Sequence, residues 1–220
     1  MNLFRFAREA FSASPFRTLE YEALSRAGLS GRVLDLGGGD VSNYHALLPG
    51  CRVASIDLSP AVRPTVVADI TRRLPWRNGS FDAVVSLSCL EHVTDYEAPL
   101  HEARRVLRAG GRLVLCMPFL HQIHGAPDDY WRLSGSALAM VLARCGFSSP
   151  RVEPLGRGVL VARYSLLFPL LPRLLRPLFA AWAWAADETL LTLSSRYRAG
   201  YGPDRYPLGY FAVAEVGGQA

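Results

Sequence analysis

The chain has 220 residues, half of them hydrophobic, and a formal charge of +5 carried by 24 basic residues that are all arginine. That length holds one sizeable core plus an appended element. Dispersed arginines with no basic run argue against a nucleic-acid binder. Four cysteines (Cys51, Cys89, Cys116, Cys145) with no C-x-x-C pair argue against a disulfide framework or a structural zinc site. The first residues carry Arg5, Arg8 and Glu9 and no sustained apolar run, so no secretory signal is expected and the cytoplasm is the expected compartment.

In chain order, Leu3, Phe4, Ala7, Ala10 and Phe11 recur at helical spacing. A Ser-Ala-Ser-Pro break at 12–15 precedes a second helical stretch over 18–27 that stops at Gly28. These two helices form an expected N-terminal cap over 1–30, covering a cleft or packing on a sheet. Val33 to Leu36 is a short apolar strand that breaks into Gly37, Gly38 and Gly39, with a helix-compatible segment from Val41. A strand ending in glycines before a helix brings bare backbone N–H groups up to a ligand. Asp57 closes a second apolar run, 52–56, where a carboxylate meets a ribose hydroxyl pair in nucleoside-binding half-domains. Strands are expected at 65–68, 83–87, 113–117 and 152–155, with a helix over 138–145 closed by Gly146, in the βαβ alternation of an open parallel sheet.

The nucleoside is read from the glycines. In a G-x-G-x-x-G count from Gly37, Ser42 stands where the dinucleotide fingerprint needs its third glycine, which weakens a nicotinamide reading. Asp35-Leu36-Gly37-Gly38-Gly39 instead resembles the first motif of class I S-adenosylmethionine-dependent methyltransferases, although Val41 replaces a further glycine of many members. The resemblance extends over roughly 30–155: Asp57 in Ile-Asp-Leu-Ser, Asp69-Ile70 followed by Leu74-Pro75-Trp76, Ser80 to Val85, Leu90-Glu91-His92-Val93, and Val106 to Leu113. It implies an α/β fold, a Rossmann-like, mostly parallel seven-stranded sheet with helices on both faces. It further implies S-adenosylmethionine held by Asp35, Gly37, Gly38, Gly39, Asp57, Leu58, Asp69, Ile70 and Ser86 and released as S-adenosylhomocysteine.

The loop after the fifth strand, Pro118 to Arg132, crowds histidines, carboxylates and aromatics into fifteen residues. Its Pro-Phe-Leu…His-Gly…Asp-Tyr-Trp-Arg pattern resembles a subgroup of methyltransferases associated with glycan, envelope and natural-product assembly. A hydroxyl nucleophile gains from a base that takes its proton during attack. His124 is the candidate base, with Asp129 (or Asp128) orienting it and His92 as the alternative. His121, Tyr130, Trp131 and Arg132 are candidate acceptor contacts, or else core plugs and an arginine paired to Asp128. No metal is expected, because the spacing of His121, His124 and Asp128 is loose and Ser88 stands at the first position of the Glu-x-x-Glu-His that some relatives use.

The core is expected over 31–155 and its last strand over 209–220. Between them, 156–208 is an apolar helical insertion broken by Pro169, Pro172 and Pro177, with no run long enough to cross a bilayer. A lid, a dimer interface and a membrane surface all fit such a segment. The expected activity is O-methylation of a glycan, a lipid-linked sugar or another secondary metabolite. The alternatives are carboxyl- or N-methylation of a natural-product intermediate, or an idle S-adenosylmethionine-binding module with a partner-binding tail. Peripheral membrane contact and a homodimer are expected partners of that tail, and nucleic acid is not.

Overall fold

The structure is a computed structural model that describes residues 1–38, 43–125 and 128–217. Seven strands form one sheet in the order β3-β2-β1-β4-β5-β7-β6. They are β1 (Arg32–Leu36), β2 (Arg52–Asp57), β3 (Val66–Val67), β4 (Phe81–Leu87), β5 (Leu107–Pro118), β6 (Phe147–Leu155) and β7 (Gly209–Val216). The pairs β1–β2, β1–β4, β2–β3 and β4–β5 are parallel. β7 opposes β6: Leu208 N–H donates to Leu155 O at 2.7 Å before β7 begins, and Ser148 Oγ donates to Glu215 O at 3.0 Å near its end. This is the expected Rossmann-like, mostly parallel seven-stranded architecture.

The central strands are predominantly apolar because both sheet faces are covered. Val33, Leu34, Leu36, Ile56, Val84, Val85 and Leu113 to Met117 are all buried. Helices α3 (Glu97–Val106) and α4 (Gly135–Arg144) bury Leu100, Ala103 and Val106, and Leu138, Val141 and Leu142, at three- and four-residue spacing. The segment after the glycines departs from expectation. Val41 and Ser42 lie outside the described residues, and Asn43–Leu47 is a 3-10 helix. Pro49 pushes Leu48 away from helical geometry, and Gly50 follows at φ +76°.

The chain divides into two compact units, each described by itself. Met1–Ala23, Pro118–Ile123 and Pro154–Tyr210 form a helical unit, and Leu24–Met117, His124–Glu153 and Phe211–Ala220 form the sheet unit. The helical unit contains α1 (Leu3–Glu9), α5 (Val159–Leu167), α6 (Arg176–Leu193), α7 (Ser195–Tyr201) and most of α2 (Pro15–Arg26). Phe6 is its central plug, tilted against Trp184 at 4.7 Å and edge-on to Tyr164 at 6.4 Å. Among the described residues, no helix is long and apolar enough to cross a membrane.

A buried carboxylate ties the helical unit together. Asp187, fully buried on α6, accepts from the backbone N–H groups of Leu160 (3.2 Å) and Val161 (2.8 Å) and from the Tyr197 hydroxyl (2.6 Å). It thereby supplies the missing cap of α5, whose N-cap is Gly158 with no side chain to offer. Burial, and then Asp187 itself, push the Tyr197 hydroxyl well above its usual range. Asp187→Ala is expected to lower stability by about 3 kcal/mol, since it strands three donors that are buried or part-buried. Urea unfolding followed by far-UV dichroism measures it. Tyr197→Phe should cost less than half as much, leaving both backbone donors satisfied.

Candidate functional site

Beyond the carboxyl ends of β1, β2 and β4, a cavity of about 720 Å3 opens in the sheet unit. Open parallel sheets bind ligands at that edge. Its lining takes Gly37 from the end of β1, Asp57 and Leu58 from the end of β2, Asp69, Ile70 and Thr71 from the loop after β3, and Ser88, Cys89 and His92 from the segment after β4.

Gly37 adopts φ +83°, and a Cβ built there would run into Cys89 Sγ and lie 2.8 Å from Cys89 Cβ. A Cβ at Gly38 would run into Asp35 Oδ2 and lie 2.6 Å from the Tyr44 hydroxyl. The backbone here is a cradle that side chains would fill. Gly39 lies outside the described residues. Asp35 is fully buried behind the cradle, not in its lining. It accepts from Tyr44 Oη at 2.7 Å and lies 2.7 Å from His45 Nε2. Tyr44 and His45 were not singled out in the sequence. Their signal is an aromatic pair nine and ten residues beyond a strand carboxylate, and it does not distinguish a clamp from core packing.

Asp57 faces the cavity, with Oδ1 accepting from Ser59 N–H at 2.7 Å. Leu58 beside it also lines the cavity and is 67% exposed, an apolar side chain open to a ligand. Asp69 Oδ1 accepts from the Thr71 hydroxyl (2.7 Å) and N–H (2.8 Å), and these bonds hold its carboxyl below the usual range. Ile70 is buried and contributes to the wall. Ser86 is buried and is not in the lining; Ser88 is, at φ +49°. Such a conformation is uncommon for a residue with a Cβ. Burial, followed by Glu91, Asp35 and Asp57, pushes the Cys89 thiol up, so it faces the cavity as a neutral group.

One side of the cavity is acidic and basic at once. His92 lines it, with Nδ1 2.6 Å from Asp128 O and Nε2 3.8 Å from the buried Glu91 Oε1. The His124 ring meets the His92 ring edge-on at 4.9 Å. Its Nδ1 lies 3.2 Å from Asp129 Oδ2, which also accepts from His124 N–H at 3.1 Å. Arg132 completes the row: one Nη donates to Asp129 Oδ2 at 2.5 Å and the other to Oδ1. Arg132 is thus spent on Asp129 within the protein. Tyr130 lines the cavity, its hydroxyl donating to Asp128 Oδ2 at 3.0 Å. Trp131 lies outside the lining, Nε1 donating to Val93 O at 2.9 Å and its ring edge-on to Tyr96 at 5.0 Å. His121 belongs to the helical unit, where it packs edge-on against Phe16 at 5.7 Å. Glu91, His92 and His124 also offer three donor atoms within 4.8 Å of one another.

The hydrogen bonds from Arg132 hold the Asp129 carboxyl down at about 2, against the opposing effect of burial, with His124 N–H and the Arg132 charge assisting. A depressed pKa stabilises the fold fully above the ordinary carboxylate value, and that stabilisation is lost as pH falls from about 4 toward about 2. Asp129→Asn should therefore flatten the acid limb of the stability curve in that window. Urea unfolding between about pH 2 and about pH 5 would show it.

Comparison with known proteins agrees with this geometry. A methyltransferase domain family matches residues 34–115. A demethylmenaquinone methyltransferase of Tropheryma whipplei is 36% identical over 178 residues, covering 62% of this chain and 74% of that protein. The chain belongs to the class I S-adenosylmethionine-dependent methyltransferases. Two solved structures share its fold. Phosphoethanolamine N-methyltransferase 2 of Haemonchus contortus, in complex with S-adenosyl-L-methionine, has a TM-score of 0.61 at 18% identity. The match covers 97% of this chain, which spans 56% of that one. A putative methyltransferase of Haloferax volcanii, in complex with the Trm112 activator, has a TM-score of 0.61 at 19% identity, with 96% and 97% covered.

S-adenosylmethionine is the cofactor of this methyltransferase, and the residues present fit it. Gly37 packs so closely on Cys89 that bare backbone lines the cavity there, Asp57 lines it from the end of β2, and Leu58 offers an exposed apolar face.

Proposed function

We propose that this methyltransferase methylates a hydroxyl oxygen of an apolar or lipid-linked acceptor, a glycan or secondary metabolite, with histidine assistance. The observation that carries the reading is His92, an imidazole in the same cavity wall that holds Gly37, Asp57 and Asp69. When bound, the cofactor supplies a methyl group on a sulfonium, already a strong electrophile.

The protein's remaining tasks are alignment and proton removal. Asp57 would take the two ribose hydroxyls, Asp69 and the Ile70 backbone the adenine edge, and Gly37 and Gly38 the methionine end. Asp35, through Tyr44 and His45, would stiffen the cradle from behind. His92, with Nδ1 held by Asp128 O, presents Nε2 as the proton acceptor. His124 stands behind it and, with Asp129, supports the positive charge that develops on His92. Tyr130 would wall the acceptor. The helical unit would make peripheral membrane contact. The relatives' name favours a second reading, methylation of demethylmenaquinone or a molecule like it.

Methyl-deuterated S-adenosylmethionine incubated with protein and an extract of the source organism tests both. Label on an oxygen in the lipid fraction is expected. Label on carbon would support the quinone reading, and label confined to water-soluble products would overturn the lipid-linked acceptor.

A further inference from the structure

One face of the helical unit is built inside out. On α6 the buried positions Ala180, Ala183 and Asp187 are small or polar, and Trp184 alone among them is large. Leu178, Phe179 and Trp182 point outward, 66%, 42% and 57% exposed. Before α6, Leu166, Leu170 and Leu174 are exposed as well, at 57%, 79% and 83%. A helix that packs only on protein turns its large apolar residues inward. Exposed apolar surface of this extent marks a partner.

The charge pattern indicates which partner. From Pro154 to Ala186 the chain has no Asp or Glu but carries Arg157, Arg163, Arg173 and Arg176. Arg157 is paired with Glu188, while Arg163 and Arg173 are exposed. A two-fold dimer through this face would set like charges against one another. A cavity of about 400 Å3 lies in the same unit, lined by Leu166, Phe168 and Pro169 and by Ser165, Gln122 and Arg176. The Arg176 guanidinium stacks over Phe168 at 4.3 Å while its Nε donates to Leu171 O at 3.1 Å. Apolar wall and cation together suit an amphiphile's head and first methylenes.

We propose that this face docks on an anionic lipid bilayer. Leu170, Leu174, Leu178 and Trp182 enter the acyl boundary, and Arg163 and Arg173 meet lipid phosphates. The proposal deepens the lipid-linked reading above, but its test needs no acceptor.

The full chain is sedimented with phosphatidylcholine vesicles, with and without about 30% phosphatidylglycerol. Binding to the anionic vesicles is expected to be at least roughly tenfold tighter, and to weaken at least roughly tenfold between about 0.1 M and about 0.5 M salt. Leu170→Asp/Leu174→Asp should lower binding by roughly tenfold or more, with melting temperature and S-adenosylhomocysteine affinity unchanged. Arg163→Glu/Arg173→Glu should erase the preference for anionic vesicles. Equal binding to both vesicles, or no binding by protein that still binds S-adenosylhomocysteine, overturns the proposal. So does a wild-type dimer that ignores vesicles and falls to monomers in the leucine variant. Vesicle binding with only water-soluble labelled products would leave docking intact and remove the lipid-linked acceptor alone.

Discussion

His92→Ala is expected to lower kcat by about 10²- to 10⁴-fold, the usual contribution of a positioned general base, with S-adenosylhomocysteine affinity changed only a few-fold. The expectation follows from placement. His92 stands in the cavity wall, and its ring is oriented by the 2.6 Å contact of Nδ1 with Asp128 O. His124→Ala should cost less, about tenfold, because His124 touches the cavity through the His92 ring and not directly. Asp129→Asn should resemble His124→Ala, since Asp129 reaches the site only by way of that imidazole. Single-turnover rates with saturating cofactor separate the cases. Equal losses at His92 and His124 would mean that the two rings work as one unit. A loss confined to His124 would move the base one residue back along the row. An unchanged rate in both variants would remove histidine assistance from the mechanism and favour an acceptor that arrives already ionised.

The sequence exposed the sheet unit well for a physical reason. Strands buried on both faces read as apolar runs, and β1, β2 and β4 fall where 33–36, 52–56 and 83–87 placed them. The cavity lining that gathers Gly37, Asp57, Leu58, Asp69 and Ile70 was legible too, because each stands at or just beyond the end of a strand. Side-chain partnerships were not. Asp35 reads as a cofactor ligand from its position before the glycines, yet both its oxygens lie within hydrogen-bonding distance of Tyr44 and His45. Arg132 reads as an acceptor contact, yet it serves Asp129 three residues earlier in the chain. Spacing gives the direction of a side chain but not which of several neighbours satisfies it. The left-handed backbone at Ser88 was invisible for the same kind of reason, since glycine is the residue that announces positive φ. In the helical unit, hydrophobic content left a lid, a dimer interface and a membrane surface open, and did not show that α6 buries Ala180, Ala183 and Trp184 while exposing Leu178, Phe179 and Trp182.

Gly37→Ala should sharply weaken cofactor binding while leaving a folded but less stable protein. Two penalties combine at this residue. A side chain at φ +83° costs about 1–2 kcal/mol of backbone strain. The new Cβ would also overlap Cys89, whose own Cβ lies 2.8 Å from it, and overpacking a fixed site costs about 1–3 kcal/mol. The chain relieves both by moving the end of β1 or the segment after β4. Either shift carries Gly37 away from Asp57, whose strand is anchored to it by the Gly37 N–H to Ile56 O bond at 2.8 Å. The cradle and the ribose carboxylate then lose their mutual placement, so calorimetric affinity for S-adenosylhomocysteine should fall by about 100-fold or more, the worth of roughly two charge-assisted hydrogen bonds. Cys89→Gly in the same chain removes the overlap but not the strain. The double variant should regain part of the affinity, and the part it fails to regain measures the positive φ alone. Full recovery would show that steric overlap carries the whole effect. No recovery would place the requirement for glycine in the backbone conformation, with Cys89 merely filling the space beside it.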